Sequence, residues 1–211
     1  AGIVIGSDTD RTAQLNVGSY TAVDGSTLLN DGVFQADSIA SVNNLNQITN
    51  RNVMTVGAAD FSGQLKNEGK ASFESLILRE SGSINGKAGA AEQTASMTVG
   101  TLTIAGNALS GDSGTYAIRG ALTNKGTLTV ENGTTVAGDL VNDGTLTGSA
   151  LTVAAKDSSV ENSEAGNFIN NRPADIDALI AETGSVITNA KNAVLTLLGV
   201  NSATEIAGTV E

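Results

Sequence analysis

Carboxylates are the side chains best able to do chemistry in this chain, because its 211 residues include no histidine and no cysteine. A Ser-His-Asp triad cannot be built without histidine, and zinc, haem and iron–sulfur centres normally require histidine or cysteine ligands. The tetrapeptide Gly-Asp-Ser-Gly at 111–114 resembles the nucleophile signature of some serine proteases. Because no base accompanies it, we interpret this tetrapeptide as a turn.

Paired carboxylates could instead cleave glycosidic bonds, which requires two of them about 5–10 Å apart in a groove. The acids that could converge on one outer face are Glu74, Glu80, Glu131, Asp139 and Asp143. Sugar-cleaving clefts usually present aromatic platforms, whereas this chain has no tryptophan and only two tyrosines. We therefore favour a solvated acidic surface and a non-catalytic protein, with a polysaccharide hydrolase or lyase as the alternative.

Calcium is the metal that the available oxygen ligands would suit. The candidate ligands are Asp8, Asp10 and Asp112. The spaced acids of an EF-hand loop are absent from the sequence, as are the nonapeptides of calcium-binding β-rolls and the glycine–lysine loop that cradles phosphates. We therefore expect neither a metal nor a cofactor.

A repeated sequence motif, called the phrase below, indicates which structural elements position these residues. Leu122–Leu128 reads Leu-Thr-Asn-Lys-Gly-Thr-Leu, and Leu140–Leu146 reads Leu-Val-Asn-Asp-Gly-Thr-Leu, 18 residues later. Further copies, some of them weaker, begin at Leu28, Ile48, Leu65, Ser83, Ile104, Phe168 and Ile187. A phrase that restarts at such an interval is typical of a solenoid, in which each repeat is one coil stacked on its neighbours.

Apolar and polar residues alternate within a copy, as in Leu128-Thr129-Val130, which is the period of a half-buried strand. Asparagine and glycine stand between the strand pieces, and both tolerate the left-handed backbone conformation of turns. About 19 residues suffice for three short strands and three turns. We therefore predict an all-β fold, a parallel β-helix of about ten to eleven coils.

The asparagines of the phrase have two interpretations. Asn124 falls on the same side of its strand as the core residues, which favours a buried ladder of amides bonded from coil to coil. The predicted ladder residues are Asn30, Asn50, Asn67, Asn124, Asn142 and Asn189. In the alternative, the asparagines form an outward row that contacts another copy of the protein. The candidate contact surface consists of Lys66, Glu68, Lys125, Thr127, Thr129, Asp143 and Thr145.

One continuous domain over residues 1–211 is predicted, because the phrase recurs nearly end to end. The segment 158–181 departs from the pattern, and we predict an irregular or inserted region there. Because the sequence begins without an initiator methionine or a signal peptide, we expect a fragment of a longer protein or one whose leader was removed.

The segment 174–181 suggests a short helix on the outside of the coils. Ile176, Leu179 and Ile180 have the i, i+3, i+4 spacing of one helical face. Two irregular strands are the alternative interpretation.

The net charge of −11 disfavours nucleic acids and anionic membranes as partners, since both bind basic surfaces. No apolar run approaches the roughly 20 residues of a transmembrane helix. The charge therefore favours a soluble, outward-facing protein.

The phrase at Leu122–Leu128 and Leu140–Leu146 resembles the passenger region of bacterial autotransporter adhesins of the AIDA and Antigen 43 type, and more loosely filamentous haemagglutinin. The resemblance covers most of Thr27–Leu198. It implies a right-handed β-helix, secretion to the cell surface, adhesion or autoaggregation of the kind that builds biofilms, and no catalysis. The family's membrane barrel is missing here, so membrane attachment would require parts of the chain not present.

An extracellular adhesin or self-associating surface stalk is therefore our first hypothesis, with a second copy, a host-surface receptor or a glycan as its partner. A carbohydrate-active β-helix enzyme is the second hypothesis. A passive rigid spacer is the third.

Overall fold

The computed structural model describes residues 2–41, 46–79, 83–86, 95–105, 108–109, 117–118, 121–124, 126–156, 158, 164–199 and 204–211. These residues form 22 β-strands, and none of them belongs to a helix. No membrane-spanning helix is therefore present in the described part of the chain.

Short strands form the first of two parallel sheets. In spatial order they are β1 (Gly2–Ile5), β3 (Thr27–Asn30), β5 (Gln47–Asn50), β7 (Gln64–Asn67), β9 (Ser83–Gly86), β13 (Ala121–Asn124), β15 (Asp139–Asn142), β17 (Asn167–Asn170), β19 (Val186–Asn189) and β22 (Thr209–Val210). Each strand pairs with the equivalent strand of the next coil, so the sheet runs the length of the molecule.

Longer strands form the second parallel sheet. In order they are β2 (Gln14–Ala22), β4 (Val33–Ser41), β6 (Val53–Phe61), β8 (Lys70–Leu78), β10 (Ser96–Ile104), β14 (Thr127–Val136), β16 (Thr145–Val153), β18 (Ala174–Ala181) and β20 (Leu195–Leu197), with β21 (Glu205–Ile206) also beside β18. A separate antiparallel pair consists of β11 (Ala108–Leu109) and β12 (Ala117–Ile118).

One coil consists of a short strand and the long strand that follows it. Nine such pairs, from β1–β2 to β19–β20, are numbered here as coils one to nine, and β22 begins a tenth. The predicted parallel β-helix is therefore confirmed. Its right-handed sense stays a prediction, in line with the strong preference of parallel crossovers.

The burial pattern of several long strands changes phase in the middle of the strand, which turns the chain through a corner. In β8 the buried residues are Ala71 and Phe73, then Leu76 and Leu78, so two residues in succession face away from the core between them. The same break recurs in β6 and β10. We call this position the bend corner, and the Asn-x-Gly turn between the short and long strands the turn corner.

The predicted helix over 174–181 is wrong, because this segment is strand β18 in register with β16. Ile176 and Leu179 are buried on either side of the bend corner, while Ile180 is only half-buried. The spacing that imitates a helical face is therefore the phase change of a bent strand.

Two predicted features of coil spacing also change. A copy of the phrase was expected at Ser83 and another at Ile104; the first is β9, but Ile104 ends β10. Among the described residues that follow, 108–109 and 117–118 form the antiparallel pair β11–β12. Within the region predicted as irregular at 158–181, residues 167–170 and 174–181 are the regular strands β17 and β18, while 157 and 159–163 lie outside the described residues.

Candidate functional site

The predicted asparagine ladder is present and begins in coils two to four. Asn30 Nδ2 donates to Asn50 Oδ1 at 2.8 Å, and Asn50 Nδ2 donates to Asn67 Oδ1 at 2.8 Å. The second hydrogen of each amide donates to a backbone carbonyl of the next coil, such as Val53 O at 2.7 Å for Asn30. All three side chains are buried, so the ladder satisfies polar groups that would otherwise be costly inside the core.

The ladder stops at coil five, where Gly86 stands opposite Asn67, and resumes in coil six. Asn124 Nδ2 donates to Asn142 Oδ1 at 2.8 Å, and Asn142 donates to Asn170 at the same distance. Asn170 then donates to Asn189 at 2.9 Å. Asn170 was absent from the predicted ladder, although its weak copy of the phrase was the signal that could have found it.

The glycines of the phrase are required for a different reason from the one expected. Gly32, Gly69, Gly126 and Gly144 are not among the glycines with positive φ. A Cβ added at Gly144 would lie 2.0 Å from Gly126 O, and one at Gly69 would lie 2.2 Å from Asn52 O. Neighbouring turns therefore approach too closely for a side chain, so close backbone contact and not a left-handed conformation selects glycine.

Charged side chains pair along the outside of the turn corner. Arg51 Nη1 lies 3.6 Å from Asp31 Oδ1, and its Nε lies 3.3 Å from Glu68 Oε2. Lys66 Nζ reaches Glu68 Oε1 at 2.7 Å. Lys66 and Glu68 were predicted as contact residues, but Glu68 is held between two cations of its own chain.

The remaining predicted contact residues lie in coils six and seven, with coil five between them and Lys66. Thr127 of β14 is in register with Thr145 of β16, while Thr129 is in register with Thr147. Asp143 lies in the turn before Thr145, and its Oδ1 accepts a hydrogen bond from Asn171. Lys125 lies outside the described residues.

These threonines belong to a larger group of hydroxyl side chains, which we call the threonine patch. It consists of Ser96, Thr98, Thr127, Thr129, Thr145 and Thr147, on the first half of β10, β14 and β16. The three rows are about 4.8 Å apart along the axis, and the two columns are about 7 Å apart along the strands. Each residue is exposed or half-buried, and none is charged. The patch is therefore a flat, neutral array of hydroxyl and methyl groups.

The bend corner carries the acids that face solvent. Glu74 and Glu131 both lie there, and a glycine of the intervening coil, Gly100, stands between them. The acids are therefore two coils apart, about 10 Å, which limits their mutual repulsion. Because β14 contains an extra residue at this point, its register with β10 and β16 shifts beside Glu131.

Of the five carboxylates considered for catalysis, the four that the structure describes do not converge. Glu74 and Glu131 lie at the bend corner, whereas Asp143 lies at the turn corner, and Glu80 lies outside the described residues. Asp139 instead lines a surface groove of about 400 Å³ together with Glu164, Asn167 and Gly184. Glu164 was not among the candidates.

The two candidate calcium ligands that the structure describes, Asp8 and Asp10, do not belong to a cluster of possible metal ligands. Asp8 Oδ1 lies 3.9 Å from Arg51 Nη1, and Asp112 lies outside the described residues. The pKa of Asp10 is lowered, first because the Thr12 hydroxyl donates to its Oδ1 at 2.7 Å and then because the Thr12 backbone amide does so at 3.1 Å. Across the described ranges, no three acidic side chains are grouped as a metal site would require.

Comparisons of the chain with protein-family models, with curated proteins and with solved structures found no match. The resemblance to autotransporter passengers therefore stays a prediction from the repeated phrase.

Proposed function

We propose that this chain is a non-catalytic segment of a bacterial surface protein, displayed outside the cell, that adheres through the neutral faces of a rigid rod. The observation that carries the proposal is the threonine patch, in which three consecutive coils present hydroxyl rows without a charge. Charged residues border the patch on the same face, Lys70 in register with Ser96 and Asp175 in register with Thr147. Others lie at the corners, as Arg51 and Glu74 do.

A neutral face matters because the chain has a net charge of −11. Two copies, or this chain and another acidic surface, repel each other at long range. Contact through the threonine patch brings no like charges together, and hydroxyl groups can exchange hydrogen bonds with a second polar surface. Because each such bond contributes little, useful affinity comes from many contacts along the rod and from many copies on one cell.

A second copy of the chain is the partner that we favour, ahead of a host-surface receptor or a glycan. Glycan sites commonly use aromatic side chains as stacking platforms, and this sequence has two tyrosines and no tryptophan. Attachment to the membrane would come from parts of the chain outside this sequence.

Aggregation of beads or cells that display the protein tests the proposal. The Thr127→Asp/Thr145→Asp variant places two charges on the patch and should slow aggregation at least several-fold. The matched control is Thr49→Asp/Thr123→Asp, which places two charges on the outer face of the short strands. Equal aggregation by both folded variants and the native chain would contradict adhesion through the patch.

Shortening the rod distinguishes adhesion from a passive spacer. Deletion of residues 47–63 removes one coil and joins Asn46 to Gln64, which occupies the same register position as Gln47. The threonine patch stays intact in this variant. Adhesion should therefore survive the deletion but not the patch substitutions, whereas a spacer should tolerate both changes.

The groove beside Asp139 supports an enzyme as the second candidate. It contains two carboxylates, as glycoside cleavage requires. Release of reducing sugar from a panel of polysaccharides, abolished by Asp139→Asn and by Glu164→Gln, would favour the enzyme over the adhesin.

A further inference from the structure

Two asparagine–glycine pairs in this chain occupy different backbone environments. Asn132-Gly133 lies in β14, and Asn85-Gly86 lies in β9. Such pairs are chemically reactive, because the backbone nitrogen of the glycine can attack the side-chain amide carbon of the asparagine before it. Glycine has no side chain that would hinder this attack. The backbone around each pair then decides whether the attack geometry is reached.

Asn132 lies in the irregular part of the bend corner. The register of β14 with β10 shifts between Val99 and Thr101, and its register with β16 shifts between Val130 and Thr134. The residues between form a bulge, in which strand pairing is locally interrupted. Gly133 has a φ of 153°, a conformation that favours glycine.

The side chain of Asn132 is exposed and forms no hydrogen bond with another described residue. The neighbouring coil presents Gly100 to this amide, and the Cβ that Gly100 lacks would lie 3.4 Å from Asn132 Nδ2. The amide carbon can therefore rotate toward the nitrogen of Gly133.

The ladder asparagines are protected in three ways. Their amides are hydrogen-bonded within the core, as between Asn142 and Asn170. The residue that follows each one is not glycine, and in the strict copies of the phrase glycine stands two positions later. The following backbone nitrogen is itself bonded to the previous coil, as Arg51 N is to Asn30 O and Asp143 N is to Asn124 O, both at 2.8 Å.

We infer that Asn132 is a site of spontaneous deamidation and isoaspartate formation in the folded protein. The backbone nitrogen of Gly133 attacks Cγ of Asn132, the bond from Cγ to Nδ2 breaks, and ammonia leaves with the proton of the Gly133 amide. Water then opens the resulting five-membered succinimide at either carbonyl, which gives aspartate or isoaspartate. Both products add one negative charge beside Glu131.

The bulge also explains why the fold should tolerate the product. Isoaspartate lengthens the backbone by one methylene, which would displace the register of a regular strand. At Asn132 the strand already contains an extra residue without a register partner on either side. The modification therefore adds charge without breaking the pairing of β14.

Peptide mapping by mass spectrometry tests the inference on the full chain, incubated folded in mildly alkaline buffer made with ¹⁸O water. Oxygen-18 should enter the peptide containing Asn132 about tenfold faster than the one containing Asn85, because β9 is paired on both sides and the bulge is not. The Asn132→Gln variant, with an unchanged circular dichroism spectrum, should lose the label in that peptide.

The same incubation in concentrated urea supplies the control. Without structure the two asparagine–glycine pairs should label within about twofold of each other. Labelling of folded Asn85 as fast as Asn132 would overturn the inference, and so would a tenfold difference that persists in urea.

Discussion

The turn corner and the bend corner direct the same chain around the same core by different means. At the turn corner, one residue type repeats in the core-facing position, and its amides form a buried ladder, as in Asn124, Asn142 and Asn170. At the bend corner, the residue type changes from coil to coil, and exposed acids alternate with small residues such as Gly100. A buried corner therefore fixes residue identity, whereas an exposed corner constrains size and charge.

Of the changes at the two corners, removal of one ladder asparagine should reduce the free energy of unfolding most. Asn142→Ala leaves Asn124 Nδ2 without its side-chain acceptor and leaves Asn170 Oδ1 without its donor, whereas Pro173 O keeps the hydrogen bond from Leu146 N. Because buried unpaired polar groups are costly, we expect a loss of about 3–5 kcal/mol in the free energy of unfolding.

Urea denaturation measures this loss. The matched control is Asn132→Ala at the bend corner, which should change stability by less than about 0.5 kcal/mol. Equal effects at the two positions would contradict a special role for the ladder.

A methyl group at the turn corner should have the next largest effect. In Gly144→Ala the new Cβ would lie 2.0 Å from Gly126 O, so the two turns must separate. We expect a loss of about 1–3 kcal/mol, measured as a fall in the urea midpoint. Gly148→Ala is the control, since its Cβ would meet nothing closer than 3.6 Å, and it should be neutral.

Loss of the Arg51 charge should have a smaller effect. Arg51→Met removes the cation between Asp31 and Glu68 while it keeps most of the side-chain volume. Because Arg51 is 40% exposed but the Asp31 carboxylate is only 5% exposed, we expect a loss of about 1–2 kcal/mol, part of which should diminish as salt is added. A loss that is independent of salt would indicate packing instead of charge.

The smallest effect should come from Asp10, outside both corners. Its pKa is lowered by the hydrogen bonds from Thr12, so the folded state favours the carboxylate. The resulting stabilisation is present above the ordinary pKa of aspartate and is lost as the pH falls through the lower value of the folded state. An NMR titration of Thr12→Val should show the pKa of Asp10 rising toward its ordinary value. An unchanged titration would mean that the Thr12 hydroxyl has no part in the shift.

The comparison of the two corners also explains what the sequence could predict. Asn124 and Asn142 repeat in identity because each must bond to the next, so the phrase that contains them predicts both the short strands and the ladder. The bend corner has no such repeat. Its change of phase between Ile176 and Leu179 therefore suggested a helix where β18 is a strand.

Insertions and surface pairs were harder to predict, since they obey no period. The spacing predicted a further copy of the phrase beginning at Ile104, whereas Ile104 ends β10 and the β11–β12 pair follows it. The groove lined by Asp139 and Glu164 brings together residues that lie 25 positions apart in the sequence. Of the residues predicted for contact, the threonines are neighbours, whereas Lys66 lies two coils away beside Arg51 and Glu68.

Disulfide formation tests most directly whether the Asn-x-Gly turns are stacked corners of one winding. The chain contains no cysteine, so an introduced pair has no competitor. Thr127→Cys/Thr145→Cys joins residues in register on adjacent coils, about 4.8 Å apart and within the range of a disulfide. Thr127→Cys/Thr147→Cys is offset by two residues, which places the pair about 8 Å apart, beyond that range. We predict rapid oxidation of the first pair and little of the second; equal oxidation of both, or oxidation of the offset pair alone, would contradict the stacked winding.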